Sequence, residues 1–159
     1  MTSSWFSSHK KMIGRMLSAP AAAIAGLAAY GAIAVAISAQ TAAPAKSVWD
    51  AVYSQDQAKR GQARYAQVCV QCHQTDLSGS EQAPSLAGAD FLDRWNDQSV
   101  GDLADRIRLT MPLDDIGSLS MQVSADITAY LLQANNFPAG QEELKADRSA
   151  MKSVVIKRK

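Results

Sequence analysis

The chain is poor in several of the things that usually decide a function. Its 159 residues hold two Cys and two His, and aromatics make up 6%. Two cysteines exclude a disulfide-dense scaffold. So few aromatic rings leave a thin interior, and something besides aromatic side chains is expected to help fill it. A dominant sign of charge is missing too: 16 Lys+Arg stand against 15 Asp+Glu, a formal net charge of +1. Without an overall basic field, nucleic-acid binding has no compositional support. The length suits one domain plus an extension and excludes a multidomain enzyme. There are no internal repeats.

The near-neutral total conceals an uneven distribution. Residues 1–45 carry only Lys10, Lys11 and Arg15. Residues 46–143 carry seven Lys/Arg against 14 Asp/Glu, a net of −7. Residues 144–159 carry six Lys/Arg and only Asp147, a net of +5. An acidic domain therefore stands between a basic start and a basic end. The −7 block suggests docking on basic patches of a partner. The basic end, residues 141–159, is expected to be mobile or loosely docked, or to grip an acidic partner or anionic lipid.

From Ser18 to Ala45 no residue is charged, and the 21 residues Ala19 to Ala39 are almost wholly apolar, 11 of them Ala. Three cations precede this stretch and no acid does. That is the layout of an export signal or of a single membrane span. A signal core runs about 7–15 residues, and a span needs about 20. The length favours an anchor; the alanine content and Ala34-Val-Ala36 favour cleavage. Under either reading residues 1–18 stay in the cytoplasm as a basic n-region. Residues 19–39 enter the inner membrane, and the rest lies on its periplasmic side. Residues 40–47 form a linker.

Cys69-Val-Gln-Cys72-His73 is the strong signal. Cys-x-x-Cys-His is the attachment motif of covalent c-type haem. Cysteines at i and i+3 on a helical turn project to one side, so each thiol can add to one vinyl group of the same porphyrin. His73 projects beside them and can reach the iron as proximal ligand. A zinc site would need four ligands, and only His9, before the apolar stretch, could be added. A thioredoxin-like dithiol would want a βαβ setting. A disulfide between residues 69 and 72 would leave His73 unexplained.

Asp56 to Cys69 has Ala58, Gly61, Tyr65 and Val68 at helical spacing. Gly61 costs such a helix about 1 kcal/mol relative to Ala, so close contact with another helix is expected there. The stretch after His73 reads as polar loop. Ser99 to Leu109 reads as a helix with Ser99 as N-cap and Asp102 completing a capping box. Met111-Pro112 follows, and Pro112 drives Met111 toward extended backbone. After His73 the chain has three methionines, Met111, Met121 and Met151. Met111, presented on a loop, is the candidate second iron ligand; methionine in that place raises the potential. A last helix spans roughly Ser120 to Asn135, with an apolar stripe suited to the Gly61/Tyr65 face.

These residues resemble class I c-type cytochromes over about residues 48–140. The resemblance is carried by the Gly61/Tyr65 helix, Cys69-Val-Gln-Cys72-His73, Ala83-Pro84-Ser-Leu86-Ala-Gly88, Met111-Pro112 and the helix ending Ala129-Tyr130-Leu131-Leu132. It implies an all-α fold of three to five helices around one covalent haem c, here preceded by an N-terminal hydrophobic helix. It also implies that the Pro84 carbonyl accepts a hydrogen bond from His73, holding the imidazole and raising its basicity. Trp95 is a candidate contact for a haem propionate, or plain core. Residues 91–95 and 111–120 are similar to bacterial members that serve periplasmic dehydrogenases and respiratory chains.

An iron held by His73 and Met111 has no vacant position, which leaves electron transfer as the job and makes the protein no enzyme by itself. The expected partners are redox proteins: a dehydrogenase or respiratory complex, or a terminal oxidase. Two alternatives stand beside this one. The chain can be a haem subunit fixed in a dehydrogenase complex. It can also be a haem ligand-binding or sensor protein in which Met111 is not an axial ligand.

Overall fold

The computed structural model describes residues 46–159. The basic n-region, the apolar segment 19–39 and linker residues 40–45 lie outside them. Among the described residues no helix is long and apolar enough to cross a membrane.

Four helices of eight to 14 residues carry the domain: α1 (Gln55–Val68), α3 (Gly88–Trp95), α4 (Val100–Thr110) and α5 (Met121–Ala134). Two short ones, α2 (Val70–His73) and α6 (Arg148–Lys152), complete the helical set. The only paired strands among the described residues are two-residue segments, β1 (Lys46–Ser47) and β2 (Val154–Val155), which run parallel. The fold is all-α, as the resemblance implies.

Local sequence accounts for most helix starts. Ser54, Ser99, Ser120 and Asp147 each accept a backbone N–H from the first turn of the helix they precede, satisfying donors that helix geometry orphans. Ser99 and Asp102 form the expected reciprocal capping box. Val100, Leu103, Ala104 and Ile107 then fall on one buried face of α4.

The centre of the fold is the crossing of α1 over α5. A Cβ at Gly61 would lie 1.8 Å from the carbonyl oxygen of Asp126. Only glycine lets the two backbones approach this closely. One turn on, the Tyr65 and Tyr130 rings sit 5.2 Å apart in a tilted pair. Beside the crossing, fully buried Gln57 exchanges two hydrogen bonds with the backbone of Leu144, at 2.9 and 2.7 Å. The Tyr53 hydroxyl donates to the Phe137 carbonyl. Arg60 bridges Asp126 and Glu143. These contacts lash the chain after α5 back onto α1.

The C-terminal residues are not a mobile end. Met151, Val154 and Ile156 are buried, and Asp97 and Gln98 exchange backbone hydrogen bonds of 2.8 Å with Ile156. The Trp49 indole N–H donates to the Lys157 carbonyl. Four of the basic residues that make the end look like a free tail are neutralised in place. Arg148 pairs with Asp105, Lys152 with Asp102, Lys157 with Asp97 and Arg158 with Asp93. The segment is a strap over α4 and the end of α3, and it clasps Lys46 and Ser47, which the sequence alone assigns to a linker.

The strap should answer to both packing and pH. Met151→Ala is expected to lose ~3 kcal/mol of stability, the usual cost of emptying a buried Met site, read as a lowered midpoint in urea. A loss under about 1 kcal/mol would mean that Met151 is not core. Lys152 and the Ser99 hydroxyl hold the Asp102 carboxyl below its ordinary value. A depressed carboxylate stabilises the fold above the unfolded value, about 3.9, and that contribution is lost as pH falls through the folded one. Amide exchange in residues 148–156 should therefore accelerate below pH ~4 before that in α1 and α5; equal protection in acid would contradict this.

Candidate functional site

The site is built at the exit of α1. Cys69 caps that helix, its N–H bonded to the Tyr65 carbonyl at 2.9 Å. The chain turns at once into α2, with Cys72 N–H and His73 N–H both donating to the Cys69 carbonyl. Cys69, Cys72 and His73 thus share one helical turn. The Tyr65 hydroxyl donates to the Gln74 carbonyl at 2.7 Å and anchors the end of that turn to the α1–α5 crossing.

His73 is buried, and its Nδ1 lies 2.9 Å from the Pro84 carbonyl oxygen. A carbonyl only accepts, so Nδ1 carries the proton. In the neutral ring Nε2 then keeps its lone pair, the form of imidazole that binds a metal. The loop from 74 to 87 delivers that carbonyl. Gly79 donates its N–H to His73, and Ser80 donates to Ala83. At Gly79 φ is +78°, and a Cβ there would fall 2.4 Å from the Ala83 oxygen and 2.6 Å from the Pro84 carbonyl carbon. Gly79 is therefore required for the Pro84 carbonyl to reach His73. From the far side, Asn135 at the end of α5 donates to the Leu86 carbonyl and accepts from Gly88 N–H. Neither Gly79 nor Asn135 is singled out by sequence reasoning.

Met111 sits on a different element, as the C-cap of α4. Its φ of −128° and ψ of 154° are extended, as the following proline dictates. Three residues earlier, the Nε–H of Arg108 is buried without a hydrogen-bond partner among the described residues. The other two methionines after the motif behave differently. Met151 is fully buried in the core, and Met121 packs against it from the first position of α5. Half-buried Met111 is not among the side chains packed on that core, so its thioether is not spent on packing. Trp95 is buried and tilted against Phe91, with ring centroids 6.5 Å apart; its contacts are those of core.

The donor set fits haem attachment and fits the alternatives poorly. Cys69 and Cys72 form no disulfide with each other. Burial pushes the Cys69 thiol up to about 11, against the smaller downward pull of Arg64. It is therefore protonated at neutral pH. Among the described residues no group of three or more His, Cys, Asp or Glu could hold a metal ion. The strands are too short to build a βαβ unit.

Residues 56–131 match the family described as cytochrome c oxidase, cbb3-type, subunit III. This segment contains the two cysteines, His73, Pro84 and Met111. The domain is a class I c-type cytochrome. Its cofactor is covalently attached haem c, and its work is electron transfer. No curated protein matches the chain. Among solved structures, the cytochrome is similar to a chain in the crystal structure of the sulfane dehydrogenase SoxCD from Paracoccus pantotrophus. The two are 23% identical, with a TM-score of 0.44 over 67% of this chain and 61% of that one. The cytochrome thus spans about three fifths of that chain's length.

Proposed function

We propose that this cytochrome carries single electrons on the periplasmic side of the inner membrane, from a dehydrogenase or respiratory donor to a downstream acceptor such as a terminal oxidase. In this reading Cys69 and Cys72 would form the two thioether bonds, and His73 Nε2 and the Met111 sulfur would be the protein ligands of the iron. The apolar segment 19–39 delivers the domain across the membrane and either holds it there or is removed. Support for the compartment comes from the three cations ahead of that segment and from the attachment motif itself. The matched family bears the name of an oxidase subunit, which favours a respiratory partner.

Bound haem supplies the one-electron couple; the polypeptide supplies the setting. The Pro84 carbonyl fixes the His73 ring and increases electron density at Nε2. Buried Tyr65 and Tyr130 pack together beneath the motif. A thioether ligand and apolar surroundings favour the reduced state.

The observation that carries the reading is the contrast among the three methionines: Met121 and Met151 are packed, and Met111 is not. An iron closed by two protein ligands cannot take an exogenous one. Reduced protein at neutral pH should therefore leave its visible spectrum unchanged under carbon monoxide. Ready formation of a carbonyl adduct would contradict the carrier and favour a ligand-binding haem protein.

A further inference from the structure

Helix α3 begins without a cap of its own. Its N-cap is Ala87, whose side chain has no atom to accept with. The acceptor comes from another element. Asn135, the C-cap of α5, takes the Gly88 N–H on its Oδ1 at 2.9 Å. Through Nδ2 the same amide donates to the Leu131 carbonyl at 2.8 Å and to the Leu86 carbonyl at 3.0 Å. Both amide hydrogens and the oxygen are therefore engaged. Leu131 lies in α5 itself, so the side chain is fixed to its own helix while it holds Leu86 and Gly88.

Leu86 follows closely on Pro84, whose carbonyl oxygen lies against His73 Nδ1. The Leu86 N–H donates to the Leu77 carbonyl at 2.8 Å, and the Ser85 hydroxyl donates to the Ala87 carbonyl at 2.9 Å. The peptide that presents the Pro84 carbonyl is thus held from its C-terminal side by bonds that lead back to Asn135. The imidazole is held from the other direction: Tyr65, on α1, donates to the carbonyl of Gln74, the neighbour of His73. Helices α1 and α5 meet backbone to backbone at Gly61 and Asp126. The two halves of the His73–Pro84 bond therefore hang from one crossing.

We propose that Asn135 is a positioning residue for the redox centre. By setting the Pro84 carbonyl against His73 Nδ1, it sets how strongly the imidazole donates to iron, and so tunes the potential. This rests on His73 being an iron ligand. A well-aligned bond from Nδ1–H to a carbonyl raises the basicity of the ring toward the metal, which favours oxidised iron. Releasing Leu86 lengthens or tilts that bond and weakens it, which shifts the balance toward the reduced form. If Asn135 did no more than cap helix ends, its loss would lower stability alone.

The test uses the full-length haem protein. In Asn135→Ala the ratio of reduced to oxidised protein at a fixed solution potential should rise ~3-fold, or ~28 mV for one electron. Exchange of the His73 Nδ1 proton in the ferrous protein, followed by NMR, should accelerate ~10-fold relative to the α5 amides, as for one lost hydrogen bond. The visible spectrum should be unchanged, since the ligands stay. Asn135→Asp separates the two duties and serves where the alanine variant does not mature. It keeps an acceptor for the Gly88 N–H and loses both donors. Amide protection at the start of α3 should persist, and the Nδ1 proton should still exchange faster. Met151→Ala is the control for stability: it empties a core site and should leave the potential where it was. An unchanged potential or unchanged Nδ1 exchange in Asn135→Ala would overturn the inference. So would slow Nδ1 exchange in Asn135→Asp, or an equal shift of potential in Met151→Ala. If the unaltered ferrous protein showed no His73 ring proton displaced by the haem ring current, the ligand role of His73 would fall instead.

Discussion

Replacing Met111 with alanine is expected to change the haem more than any other single substitution after His73. The iron loses its thioether and gains an open position. The weak long-wavelength band that iron–methionine bonding gives the oxidised protein should vanish, and carbon monoxide should bind the reduced form. The midpoint potential should fall by on the order of 0.1 V, within the roughly 0.8 V that axial ligation spans. Stability should change little, because Met111 is not among the side chains packed on the core. Met121→Ala is the control: Met121 packs against the core from the first turn of α5, so its loss should cost stability and leave the spectrum alone. The opposite pattern in the two variants would give the ligand role to Met121.

Gly61→Ala is expected to have the largest effect on folding. Its methyl group would meet the Asp126 carbonyl, with the oxygen at 1.8 Å and the carbon at 2.4 Å. Both are backbone atoms, so no side-chain rotation relieves the clash. The two longest helices must move apart. That loosens the Tyr65–Tyr130 contact and the Arg60 bridge to Asp126, and with Tyr65 the anchor of the Cys69–His73 turn. Overpacking of a close contact commonly costs 1–3 kcal/mol; with backbone on both sides, ~3 kcal/mol or more is expected. Unfolding in guanidinium would measure it. A loss below ~1 kcal/mol would mean that the helices cross less closely than the structure shows.

What could be read in the sequence was local in origin. Ser99 and Asp102 announce their helix because the capping box lies within four residues. Gly61 points to a close crossing because glycine in a helix is otherwise a cost. Cys69, Cys72 and His73 identify their chemistry because the porphyrin demands that spacing. The C-terminal strap escaped because nothing local marks it. Its helix is five residues long, its strand is two, and its bases look solvated until Asp93, Asp97, Asp102 and Asp105, some 40 to 65 positions earlier, come alongside. The pairing of four acids with the C-terminal bases was hidden for the same reason: a charge sum does not know which charges meet. The Pro84 carbonyl was expected near His73 from family resemblance, but the device that delivers it, the left-handed Gly79, appears only in three dimensions.

The most direct test is the intact mass of the protein matured in its native membrane, taken after denaturation and treatment with a thiol-alkylating reagent. A polypeptide carrying one haem that survives unfolding, with neither Cys69 nor Cys72 alkylated, is the predicted result. A colourless chain that loses its cofactor on unfolding, or takes up the reagent at both cysteines, would contradict the account.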